Sequence, residues 1–241
     1  MKKRLFAPLV LTSLGLALAG CGGESATVNE DPNKGIPTYS NGCDADSTEK
    51  CLGFYVDYPV DGLNFDCSTD TRNHYATKLE GGLALGGCLI GDKAKFYIKG
   101  SQSERKIVLG DVDLAKVRPL KVRGQPAAIG LIDIATAMTG KEPTSMTMSD
   151  ETFKVMVGLV RVFQAIGLEQ DANQVGDVQP LELTDNIKNN LTTVNADVGV
   201  ADFINGSYVE KLKPWVNIEA VDEASAVATA QRLVQQSLVR S

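Results

Sequence analysis

The rhythm of apolar positions changes along this chain. Leu5 to Ala19 is a nearly continuous apolar run, interrupted only by Pro8, Thr12, Ser13 and Gly15. From Leu52 to about Val122 the apolar residues recur with a period near two, in the short runs LGFYVDY, LNFDC, HYATKL, KAKFYIKG and KIVLGDVDL. Such runs, rich in β-branched and aromatic residues, read as strands with one face toward a core. In KFYIKG, Phe96 and Ile98 should face one way, and Tyr97 and Lys99 the other. Turn formers separate the runs: Pro59 to Gly62, Ser68 to Asp70, Glu80 to Gly82, Gly91-Asp92 and Gly100-Ser101. A spacing of about 8–12 residues between turns predicts an antiparallel sandwich rather than βαβ units.

After Pro119 the period lengthens. PAAIGLIDIATAMTG reads as a helix with Pro126 in its first turn and Gly140 as its stop. MSDETFKVMVGLVRVFQAIGL reads as a second, with Ser149 as cap and Asp150 and Glu151 at the positive end of the dipole. Phe153, Met156, Val160 and Phe163 recur at helical spacing and should be buried. LTDNIKNNLTTV and GVADFINGSYVEKL read as two short helices. VDEASAVATAQRLVQQSLVR reads as a final amphipathic one, with Ala226, Ala230, Leu233 and Leu238 on a shared face. The expected fold class is therefore α+β: a small antiparallel β-sandwich module at 43–123, followed by a helical region at 124–241.

The apolar run near the start is too short to span a bilayer core, which needs roughly 20 apolar residues. Lys2, Lys3 and Arg4 precede it, which gives residues 1–20 the build of a secretory signal. Its end, Leu18-Ala19-Gly20-Cys21, resembles a bacterial lipobox. That resemblance implies cleavage before Cys21 and a lipid on its thiol and amine, a firm hold because each buried CH₂ contributes about 0.8 kcal/mol. Gly22 follows the cysteine, not Asp, which by the sorting rule of enteric lipoproteins implies the outer membrane. Residues 21–42 lack an apolar period and are rich in Gly, Ser, Asn and Pro, so they read as a lipidated flexible tether with a reach of about 25 Å.

Beyond the signal, 21 Lys and Arg stand against 30 Asp and Glu, a net charge of −9. A chain this acidic is a poor binder of nucleic acid by charge. Of the 5 cysteines, Cys21 is the expected lipid site, which leaves Cys43, Cys51, Cys67 and Cys88. An even number in an exported chain points to two disulfides. Three connectivities are open, and locality favours Cys43–Cys51 with Cys67–Cys88. The absence of a CxxC pair and the presence of 1 histidine speak against a metal site of Cys and His ligands.

Candidate chemistry is sparse. His74 lies near Ser68 and Asp70 in CSTDTRNHY, the residue types of a Ser-His-Asp site, but the stretch reads better as a turn entering a strand. No G-x-S-x-G elbow is present. Asp171, Asn173 and Asp177 in EQDANQVGD offer oxygen ligands for calcium, but the loop lacks the central glycine and terminal Glu of an EF-hand and reads better as a solvated turn; Asp44, Asp46 and Glu49 in CDADSTEKC offer a second, weaker calcium reading. The glycines of GLALGG lack a phosphate-loop context and read as hairpin or close-packing positions. Trp215 reads as a core residue before an interface anchor.

Two stretches resemble a known family. YPVDGLNFDCSTDTRNHYATKLEGGLALGGCLIGDKAKFYIKG, followed by KIVLGDVDL, resembles a small β module of bacterial surface and pilus-associated proteins. IGLIDIATAMTG, then GLVRVFQAIGLEQDANQ, is similar to the helical segments that follow that module. With the lipobox, residues 1–180 resemble the FilF-type pilus-system lipoproteins of gram-negative bacteria. The resemblance implies an envelope-attached accessory or surface protein of a pilus or surface-adhesion system, and it implies no catalytic site; no cofactor is expected. It would contact the membrane through the lipid on Cys21 and a protein partner in a pilus or envelope assembly. The alternatives are a periplasm-facing structural lipoprotein and a small-ligand or calcium-binding one.

Overall fold

The computed structural model describes residues 51–117, 126–170 and 178–240, with side chains to residue 237. The expected signal at 1–20, the expected tether at 21–42, Cys21, Cys43, the acidic residues Asp44, Asp46 and Glu49, and the calcium candidates Asp171, Asn173 and Asp177 lie outside the described residues. So does the side chain of Leu238.

The period-two region folds as expected, into antiparallel strands. They are β1 (Cys51–Val56), β2 (Val60–Asp61), β3 (Asn64–Cys67), β4 (Tyr75–Ala76), β5 (Lys78–Glu80), β6 (Leu83–Leu89), β7 (Lys93–Lys99) and β8 (Lys106–Asp113). Two further strands, β9 (Ala127–Ile129) and β10 (Leu181–Glu182), come from the region read as helical. One four-stranded sheet has the order β5-β6-β1-β9, the other β4-β3-β7-β8, and β10 pairs with β2 in a small ribbon. HYATKL is split between β4 and β5, so this run leaves one sheet and joins the other. Thr77, at the crossing, donates its N–H to Leu63 O at 2.8 Å and accepts from Leu63 N on its hydroxyl at 3.0 Å.

The sheets face one another across Phe54 of β1, Phe65 of β3 and Phe96 of β7. Their ring centroids are 5.1 Å (Phe54–Phe65), 5.8 Å (Phe54–Phe96) and 5.8 Å (Phe65–Phe96) apart, and all three rings are fully buried. Close packing here requires a glycine. A Cβ on Gly86 of β6 would lie 2.7 Å from the Phe54 ring and 2.9 Å from that of Phe65. Phe96 and Ile98 point inward as expected. Tyr97 pairs with Val108 whereas Phe96 pairs with Gly110, so Leu109 is an extra residue on β8, a bulge that Gly110 permits with its φ of 88°.

The helices are α1 (Leu131–Thr139), α2 (Glu151–Glu169), α3 (Asp185–Asn189), α4 (Val200–Asn205), α5 (Tyr208–Leu212) and α6 (Glu223–Arg240). Several departures from the periodic reading have local causes. The first helix begins at Leu131, not at Pro126, because Ala127 to Ile129 pair in parallel with Phe54 to Val56 along the open edge of β1. Burial of Ala127 and Ile129 outweighs the helix signal of the proline. Asp57 Oδ1 then accepts the Leu131 N–H at 2.9 Å, tying the helix start to the end of β1. The cap of α2 is Asp150, not Ser149: its carboxylate accepts the Phe153 N–H at 2.9 Å. GVADFINGSYVEKL forms two helices, divided at Gly206. Gly140 ends α1 with a left-handed φ of 70°.

α2 is the central helix. It packs against α1, α4, α6 and β10, and Phe153, Met156, Val160 and Phe163 are all fully buried. Tyr58, just beyond β1, meets Phe163 with ring centroids 5.2 Å apart. α1 lies against β8, whose outer edge is further covered by a parallel bridge between Ile107 and Val198. The strands and the helices therefore share one hydrophobic core, and residues on both sides of the expected 123/124 division contribute to the same sheet.

Candidate functional site

The polar chemistry of the sandwich gathers at the end of β3. Cys67 there is bonded to Cys88 of β6, with Cα atoms 5.6 Å apart, so the pairing expected from locality is present. Cys51, at the start of β1, is also disulfide-bonded. Beside the Cys67–Cys88 bridge lies Asp92, 1% exposed. Its carboxylate accepts from Ser68 Oγ at 2.7 Å, Thr69 N at 3.0 Å, Thr69 Oγ1 at 3.0 Å and Leu89 N at 3.1 Å. A buried carboxylate is tolerated where it is so fully bonded. Among the described residues, Cys67, Cys88 and Asp92 are the one grouping with metal-ligand atoms in mutual reach. The donor set does not fit a metal, because the two sulfurs are bonded to each other and the carboxylate already takes four hydrogen bonds.

A second cluster surrounds His74. Its Nδ1 lies 2.8 Å from Asp66 Oδ1 and 3.3 Å from the Tyr97 hydroxyl, which itself donates to Asp66 Oδ1 at 2.9 Å. The His74 side chain is 38% exposed and that of Asp66 is 30% exposed. Ser68 is committed to Asp92 and Asp70 to its own turn, so the Ser-His-Asp arrangement weighed from sequence is not assembled. Asp70 accepts from the backbone of Arg72 and Asn73, from the Asn73 amide and from the Tyr75 hydroxyl. Burial raises the Asp70 pKa, but the bonds from Tyr75, Asn73 and Arg72 together outweigh it and hold the carboxyl below the ordinary aspartate range. Burial, then the charge of Asp66, pushes the Tyr97 hydroxyl far above the ordinary tyrosine range; burial and Asp70 do the same to Tyr75. Both phenols are therefore neutral donors, and the cluster orders a turn and two strands.

The third feature is a cavity of about 330 Å³ where the sheet-switching run meets β2, β10 and α3. Asp61, Thr77, Lys78, Glu182, Asp185 and Lys188 line it. Lys188 is 1% exposed and donates to the Gly62 carbonyl at 3.0 Å, which docks α3 on the turn after β2. Lys78 pairs with Asp61 at 3.1 Å across the rim. Nothing in LTDNIKNN marks one lysine as interior, and only the fold exposes this role. Trp215 is buried, as read from sequence, and its indole donates to Ile187 O at 2.7 Å, a second hold on the same helix. No helix among the described residues is long and apolar enough to cross a membrane.

A scan against protein-family models, a search of curated proteins and a search of solved structures each found no match to this chain.

Proposed function

We propose that this chain is an outer-membrane lipoprotein, anchored through Cys21, whose α+β domain is a non-catalytic accessory of a pilus or surface-adhesion system. The observation that carries the export part of this reading is the Cys67–Cys88 disulfide, together with the bonded state of Cys51. Disulfides of this kind persist in oxidising compartments, and a signal with a lipobox is the route there. The way the polar side chains are used supports an interaction role. Asp92, Asp70, Asp66 and Lys188 are each tied to neighbouring turns and strands, which stiffens the surface the domain would present to a partner. The pilus assignment rests on the resemblance of the β module and its helices to the FilF-type lipoproteins.

The test is protease access on intact cells, beside a periplasmic control, combined with deletion of the chain. Digestion with the control intact and a change in fimbriation on deletion are expected. Fimbriation unaltered by deletion contradicts the pilus assignment; protection until the outer membrane is breached favours an envelope-assembly role inside the cell.

A further inference from the structure

Residues 140–150 link α1 to α2 with no regular secondary structure. Their side chains alternate. The hydroxyls of Ser145, Thr147 and Ser149 form an outer chain, at 2.9 Å and then 2.7 Å. Met146 and Met148, set between them, are half-buried and pack against the hydrophobic core. The ends of the link are fixed: Thr139 and Thr152 join hydroxyls at 2.7 Å, and Asp150 accepts from Thr144 N and Oγ1, both at 2.8 Å. Gln231 of α6 donates to the Met146 carbonyl at 3.0 Å. The middle of this strap is thus seated by two thioethers and one amide.

We propose that Met146 and Met148 are an oxidation site that releases the strap from the helical body. The oxidant is a two-electron one, a peroxide such as hydrogen peroxide. The thioether lone pair attacks one peroxide oxygen, the O–O bond breaks, that oxygen stays on sulfur, and water leaves after a proton shift. Sulfur is oxidised by two electrons and the peroxide is reduced by two. The sulfoxide is polar where the thioether was apolar, and it would sit where both side chains pack against the hydrophobic core. The oxidised side chains therefore turn to water, and the strap leaves with them. This inference stands apart from the proposed function and needs no particular partner.

Met156 is an internal control, because it is fully buried in α2. Met138 is half-buried in the last turn of α1, so a Met138→Leu background isolates the strap. The full chain is treated with hydrogen peroxide, then followed by peptide mass mapping and amide hydrogen exchange. Met146 and Met148 should convert about ten-fold faster than Met156, and the amides of Thr144 and Asp150, bonded to Asp150 Oδ2 and Thr147 O, should then exchange about ten-fold faster while the α2 core is unchanged. Equal rates for all three methionines overturn the proposal, as does oxidation without faster exchange. Met146→Leu with Met148→Leu should keep the strap protected after peroxide; loosening in that variant also overturns it.

Discussion

Removing the Cys67–Cys88 bridge is expected to cost stability chiefly through the unfolded chain. The two cysteines are separated by 21 residues. Closing a loop of that size restricts the unfolded ensemble by about 3 kcal/mol on the chain-entropy account. In the folded state little changes, since Asp92 and its bonds to Ser68, Thr69 and Leu89 hold the same corner. The double variant Cys67→Ala with Cys88→Ala should therefore fold, with its β6–β7 hairpin protected, and lose about 3 kcal/mol. For a domain of this size that is a fall in Tm of about 6–12 °C. Urea unfolding followed by circular dichroism, with Cys43 and Cys51 left in place, measures it. A loss below about 1 kcal/mol would refute the loop-entropy reasoning. A loss of about 3 kcal/mol accompanied by shifted native-state NMR resonances along the β6–β7 hairpin would show that the bridge shapes the folded corner, again against the account.

Gly86→Ala should destabilise by about 1–3 kcal/mol, because the new Cβ meets the Phe54 and Phe65 rings at under 3 Å; pairing it with Phe54→Leu should give a loss well short of additive, and additive losses in a double-mutant cycle would contradict the steric cause. The carboxyl of Asp150 is lowered from 3.8 to about 2, first by the Phe153 N–H and further by Thr144, with burial opposing. A depressed folded pKa gives stability that is present above pH 3.8 and lost as pH falls toward 2, so the stability difference between wild type and Asp150→Asn should shrink over that window in acid titrations. Asp150→Ala should cost about 1 kcal/mol at neutral pH as a lost helix cap. Gln164 is 5% exposed and its Nε2 donates to Thr229 Oγ1 at 3.5 Å, a long bond, so Gln164→Met should cost less than about 1 kcal/mol in denaturant melts.

Much of the fold was legible because its signals are local. Alternation marks β3, β7 and β8, and the 3.6-residue period marks the buried face of α2 and the stripe Ala226, Ala230 and Leu233 on α6. The misreadings have long-range causes. Ala127 to Ile129 become a strand only because β1 has an open edge, and Leu181-Glu182 only because β2 needs a partner. β6, with two adjacent glycines in LALGGCL, hides a central strand in a sequence of low β-propensity; the sheet uses that missing bulk to admit Phe54 and Phe65. The clusters were less legible still. His74 was visible as the single histidine, but its partners Asp66 and Tyr97 come from separate strands, and the burial of Lys188 depends on a carbonyl 126 residues away.

The measurement closest to the centre of the account is mass spectrometry of the N-terminal peptide from the membrane fraction. The account predicts a mature chain that begins at Cys21 and carries a diacylglyceryl thioether with an acylated amine. A mature chain beginning elsewhere, or an unmodified Cys21, would contradict it.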